Sequence, residues 1–245
     1  MTAGFIVAEE AVLLWRKGQD VKKGKRSLMD VGLGGSVARI LQALAEWCGE
    51  VPEHTPASAL ACLSCILGFS LRNEASCNIS QQLSYAGGKD SRVFLEALKR
   101  FSPGEYDKLY AKGYTPGLVE REGVTLLELA EALSSMGVKS YKLILDQGLV
   151  GSAVRELLES SEKGSSLNSS IVRSYLLLVE DELGADEKRS VTEALSKGGM
   201  DNKVGARILA EVDRRMRKAG VSYNYALPAL TLVCLISMLR GAKPP

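Results

Sequence analysis

The chain has 245 residues, enough for one large domain or two small lobes around a substantial core. Hydrophobic residues make up 46% and charged residues 24%, an ordinary globular balance, and the low aromatic share of 6% argues against a β-sandwich and for helices. The formal net charge of +2 is nearly neutral, so any affinity for a polyanion has to come from local clusters of cations.

Residues 5–16 carry apolar side chains at 5, 8, 12 and 15, with 7, 11 and 14 alongside, which predicts a helix from Phe5 to Arg16. The polar stretch KGQDVKKGKRS at 17–27 reads as a flexible basic connector that isolates this first helix. Ser36 reads as the N-cap of a helix through Cys48, with Val37, Ile40, Leu41, Leu44 and Trp47 as its apolar stripe. Pro56 opens a helix to about Leu71 that is apolar on nearly all sides, the expected central helix of this half. Asp90 is placed to cap a helix through Phe101, and Ser102-Pro103 begins another short one.

GYTPGLVEREG at 113–123 holds the densest turn signals in the middle of the chain, so a boundary between two lobes is expected there. Thr125 stands three residues before Glu128, the spacing of a capping box for TLLELAEALSSM. Helical patterns follow over Val150–Ser161, Asn168–Glu182, Asp186–Lys197 and Asn202–Lys218, the last ended by Gly220. The run Ala226–Leu239 is the most apolar. At about 14 residues, with Pro228 inside it, it falls short of the roughly 20 that a membrane span needs. A buried helix, or a segment docking on a partner, is the expectation there, with no membrane span. Together these give an all-α chain, a two-lobed helical domain with an N-terminal helical arm and an apolar C-terminal helix. The expected divisions are 1–30 for the arm and basic connector, 31–118 for the N-terminal lobe and 119–245 for the C-terminal lobe.

Few residues offer catalytic chemistry. There is one histidine, His54, and no arrangement of nucleophile, base and acid, so the chain is read as a non-enzyme with no catalytic residues and no cofactor. Cys62 and Cys65 form C-x-x-C, but Cys48, Cys77 and His54 do not complete a standard zinc spacing. The pair is read as core packing on one helix face, with no metal. Five cysteines in no secreted-scaffold pattern, and no signal-peptide pattern, read as reduced thiols in a cytosolic compartment. GLGGS at 32–36 and GGKDS at 87–91 precede helices, yet neither carries the spacing of a dinucleotide or P-loop motif, and both read as turns. The carboxylates Glu180 to Glu182, with Asp186 and Glu187, read as a solvated helix end.

Cations fall in three clusters. The first is Arg16, Lys17, Lys22, Lys23, Lys25 and Arg26, opposed only by Asp20. The second is Lys89, Arg92, Lys99 and Arg100. The third is Lys203, Arg207, Arg214, Arg215, Arg217 and Lys218, in which Lys203, Arg207 and Arg214 share a helix face. Several aligned cations suffice for sequence-independent binding of phosphates.

The order VARILQALAEWCG (37–49), an apolar helix ending GFSLRNEAS (68–76), KDSRVFLEALKRF (89–101) and GVTLLELAEALSSMG (123–137) resembles the nucleoproteins of segmented negative-strand RNA viruses of the bunyavirus type, most like the phlebovirus group. The resemblance spans about residues 1–140 and rests on helix order, length and short segments. It implies an all-helical, two-lobed protein with RNA between the lobes and an N-terminal arm that packs on the neighbouring subunit. Arg72 falls where that family has an arginine after its central helix. The lysines that follow there are absent here, since the stretch reads NEASCNISQQL up to Lys89.

Clusters and resemblance together predict a viral nucleoprotein that encapsidates single-stranded genomic RNA through Lys22, Lys23, Lys25, Arg26, Arg72, Lys89, Arg92, Arg207 and Arg214. Tyr85 and Phe94 are candidate base-stacking rings, with core packing as their commoner role. Phe5, Val12 and Trp15 are the expected oligomerisation contacts, forming a homo-oligomer by arm exchange. The viral polymerase is a further implied partner, and the virion and host cytoplasm are the implied locations. The alternatives are a helical matrix or coat protein on an anionic membrane surface, and a helical protein–protein adaptor.

Overall fold

The computed structural model describes residues 3–72 and 78–241, and only the backbone of 3–5 and 72. All regular structure among the described residues is helical. The chain divides into two compact units, Met1–Leu145 and Asp146–Pro245.

The first unit contains α1 (Ala3–Lys22), α2 (Leu33–Cys48), α3 (Thr55–Arg72), α4 (Ile79–Tyr85), α5 (Gly88–Phe101), α6 (Pro103–Ala111), α7 (Pro116–Glu122), α8 (Leu126–Ser135) and α9 (Lys139–Leu145). The apolar helix α3 touches α1, α2, α4 and α9, and α5 touches α2, α6, α7 and α8. Their inward faces place Leu41, Leu60, Leu63, Leu83, Phe94, Leu95 and Leu98 in a core sealed from solvent. Each such side chain contributes about 1.5–3 kcal/mol by leaving water. The capping box forms as expected, with Thr125 Oγ1 accepting from the Glu128 amide at 3.2 Å and the Glu128 carboxylate accepting from the Thr125 amide at 2.7 Å.

Four expectations change in this unit. First, α1 does not end near Arg16, and no flexible connector isolates it. It runs through Lys22 and packs on α2 and α3 of its own chain. Gly18, in the stretch read as a flexible connector, is a point of close approach, since a Cβ would collide with the Ser70 side chain. Gln19 Nε2 donates to the Ser70 carbonyl at 2.7 Å, and Lys17 Nζ donates to the Val31 carbonyl at 2.7 Å. The Arg39 guanidinium pairs with the buried Glu10 carboxylate. Burial works to raise the Glu10 carboxyl, but hydrogen bonds from Arg39 and Ser36 hold it below its ordinary range.

Second, the units part between 145 and 146 rather than at 118/119. The turn-rich segment 113–123 lies within the first unit, where Thr115 caps α7 and Val119 is fully buried. Gly88 meets the Val119 and Glu120 carbonyls closely enough that a Cβ would stand 2.6 and 2.8 Å from them. The turn signals therefore mark a change of helix direction.

Third, α2 begins at Leu33, after Gly32 in the left-handed region at φ 75°, and not at Ser36. The stretch Leu28–Cys48 is long and apolar enough, by length and composition, to cross a membrane. That stretch is interrupted at Gly32, and its Leu33, Val37, Ile40 and Leu41 are core residues. Fourth, Cys65 is disulfide-bonded, whereas Cys48 and, in the second unit, Cys234 are free, which corrects the expectation of reduced thiols throughout.

The second unit contains α10 (Gln147–Glu162), α11 (Leu167–Val179), α12 (Ala185–Ser196), α13 (Lys203–Lys218) and α14 (Leu227–Leu239). Pro228 sits in the first turn of α14, where a missing N–H costs nothing, so it starts the apolar run rather than interrupting it. α14 packs on α10 and α11 of its own unit, burying Leu232, Val233 and Ile236. Ser174 Oγ ties α11 to the Ala153 carbonyl of α10 at 2.9 Å. α12 and α13 pack chiefly on each other. Gly205 makes this possible, because a Cβ there would strike the backbone carbonyls of Ala194 and Gly199.

Candidate nucleic-acid interface

The two glycine segments that precede helices meet each other. Asp90 does not cap its own helix, which begins at Gly88. Its carboxylate instead accepts the Gly34 amide at 2.7 Å, at the start of α2. Burial pushes the Asp90 carboxyl above its ordinary value, against the opposing pull of the Gly34, Gly35 and Leu33 amides. The N-terminus of α2 thus already holds an anion, and that anion is the protein's own side chain.

This contact and the Lys17–Val31 bond bring the last turns of α1 and the first turn of α5 to the same end of α2. The elements that meet there and the segment after α1 carry five exposed cations. Lys22 closes α1, Lys23, Lys25 and Arg26 follow it, and Lys89 directly precedes Asp90, all five exposed. Lys22, Lys23, Lys25 and Lys89 have no carboxylate partner among the described residues, while Arg26 donates to the Asp30 carbonyl at 3.0 Å. Lys17 lies beneath them. Its ammonium is lowered from the usual lysine range by burial first, then by Arg39 and Arg26.

The other candidates stand differently. Arg92 is exposed but paired, 2.9 Å from Glu120 and 3.4 Å from Glu96, and these carboxylates hold its pKa up. The Arg72 side chain lies outside the described residues. In the second unit Arg207 and Arg214 share a face of α13. Arg207 is exposed with no ion pair among the described residues, but Arg214 is bound by both oxygens of Glu211, at 2.9 and 2.6 Å. Phe94 is fully buried and so is a core ring unable to stack on a base. Tyr85 is 37% exposed and receives a hydrogen bond from Gln81 at its hydroxyl.

Of the oligomerisation candidates, Val12 is 51% exposed on the outer side of α1, next to exposed Leu13. Trp15 faces inward, with its ring 5.5 Å from that of Phe69. The Phe5 side chain lies outside the described residues.

Sequence reasoning missed two further features. Tyr141 of α9 is fully buried and donates its hydroxyl to Glu105 of α6 at 2.8 Å. Burial pushes the Glu105 carboxyl up to about 7, opposed by Tyr141 and Lys108 and reinforced by Glu53. The partners are 36 positions apart, and no local pattern announces them. Two cavities also open beside α11 in the second unit, of about 280 and 320 Å³, with Leu176, Leu183 and Val191 on the walls of both. His54, the one histidine, adopts φ 66°, and its Nε2 lies 3.6 Å from Glu53. Among the described residues no three His, Cys, Asp or Glu side chains gather as a metal-ligand set.

No protein-family model matches the chain, and searches of curated proteins and of solved structures returned no match.

Proposed function

We propose that the chain is a nucleoprotein that binds single-stranded RNA through its phosphates, without reading sequence, and associates with further copies of itself. The observation that carries this reading is the cluster Lys22, Lys23, Lys25, Arg26 and Lys89 at the shared end of α1, α2 and α5. None of these five cations has a carboxylate partner among the described residues, so their charge is available to an external polyanion. Arg207 and Lys203, exposed on α13 without ion pairs among the described residues, offer a second contact strip. Arg92 and Arg214 are weaker members, because intramolecular carboxylates already balance them. The resemblance to phlebovirus-type nucleoproteins in helix order and length points the same way.

For self-association, exposed Val12 and Leu13, adjacent on the outer side of α1, support a contact between copies. Because α1 is fastened to α2 and α3, that contact forms on its outer face and needs no release of the helix.

The absorbance ratio at 260 and 280 nm of protein purified without nuclease tests the reading. Co-purifying RNA that a high-salt wash removes is the expected result, and nucleic-acid-free protein that also ignores added RNA contradicts it.

A further inference from the structure

We propose that the smaller cavity of the second unit binds a zwitterionic α-amino acid with an apolar side chain. Three elements place four charged groups on this cavity of about 280 Å³: Glu156 on α10, Arg173 on α11 with Glu180 just after it, and Lys188 on α12. Apart from Thr192, the remaining wall is apolar, formed mainly by leucines such as Leu177 and Leu195. The volume lies just below the range of pockets for drug-sized ligands, which suits a smaller ligand such as a single amino acid.

Arg173 is the anchor. Its Nε is buried with no acceptor, and its closest carboxylate, Glu156, is 3.9 Å from Nη1, beyond hydrogen-bond length. The rest of the Arg173 side chain is partly exposed, so a ligand carboxylate in the cavity can pair with its accessible guanidinium edge. Lys188 and Glu180 have no ion pair among the described residues. Two cations and two carboxylates balance, so a simple anion meets Glu156 and Glu180, and a simple cation meets Arg173 and Lys188. A ligand with a carboxylate and an ammonium on one carbon matches both pairs, and its side chain lies against the leucines. None of these four groups belongs to the proposed RNA contacts.

The test is isothermal titration of the full chain with L-leucine, beside leucinamide, N-acetyl-leucine and glycine, which lack the carboxylate, the ammonium and the side chain in turn. Saturable leucine binding is expected at millimolar concentration or below, with each analogue weaker by about tenfold or more. Arg173→Gln should abolish binding, and Lys188→Gln, a half-exposed change with little bearing on folding, should weaken it. The proposal is overturned if leucine, valine and phenylalanine all fail to bind, if N-acetyl-leucine or leucinamide binds as well as leucine, or if Lys188→Gln and a folded Arg173→Gln bind unchanged.

Discussion

The Asp90 carboxylate accepts a hydrogen bond from the Gly34 amide at 2.7 Å, joining positions 56 residues apart. It caps α2 from another helix, and the backbone of Asp90 lies so close to Gly34 that a Cβ there would collide with it. This contact sets the end of α2 against the start of α5, and with it the spacing of the basic cluster. Asp90→Ala should therefore lower stability in chemical denaturation by about 1–3 kcal/mol. Asp90→Asn, which keeps an acceptor, should cost less. Gly34→Ala should cost more than Asp90→Asn, because backbone has to move. Equal stability of all three variants and the parent would show that the contact does not hold the two helices.

Glu105 should make stability depend on pH. The folded protein keeps this proton up to about 7, against an ordinary value of 4.5. The contribution is therefore fully present below pH 4.5 and is lost as pH rises through 7, a difference of at most about 3 kcal/mol. The groups around it are Tyr141 from α9, Lys108 from its own helix and Glu53 from the segment between α2 and α3. Thermal melts from pH 5 to 8 should show falling stability, and Glu105→Gln should flatten the profile. A parent profile as flat as that of the variant would contradict this.

The free cations and the paired ones should separate on RNA. Replacing Lys22, Lys23 and Lys25 together by Gln should weaken binding to every RNA sequence and lower the salt slope by about 2. Arg214→Gln should change affinity far less, because Glu211 already holds that guanidinium. Parallel titrations at several salt concentrations decide between them.

Assembly should respond to the outer face of α1 and not to its inner one. Val12→Glu, at a half-exposed position, should shift the oligomer toward monomer in light scattering while the circular dichroism spectrum stays unchanged. Trp15→Ala removes a ring packed on Phe69 and should lower stability by about 3 kcal/mol. Deleting residues 1–22 should leave insoluble protein, since it strips the cover from α2 and α3. A soluble, folded deletion product would restore the idea of a detachable arm.

Signals contained within a few residues were legible in the sequence. The Thr125–Glu128 box and the start of α13 at Asn202 lie within one helical turn, and the stripe of α2 was read correctly at Val37, Ile40 and Leu41, though its expected member Trp47 is half-exposed. Signals that depend on a distant partner were not. Gly18 lay in an expected flexible connector and Gly88 in an expected turn, yet they are close-approach points against Ser70 and Val119. Segment 113–123 read as a boundary because turn chemistry does not reveal what a turn packs against. The basic cluster was half legible. Lys22 to Arg26 are contiguous, but Lys89 joins them only through Asp90 and Gly34. Glu120, which balances Arg92, lies 28 positions away, whereas Glu211, three residues before Arg214, was in plain view.

The most direct test of the central claim is filter binding of single-stranded RNA to the full chain across a salt series. Affinity that is independent of base sequence and falls linearly with the logarithm of salt concentration, more shallowly once Lys22, Lys23 and Lys25 are replaced, is the expected result. No detectable binding at low salt, or binding that salt leaves unchanged, would contradict a nucleoprotein that holds RNA by its phosphates.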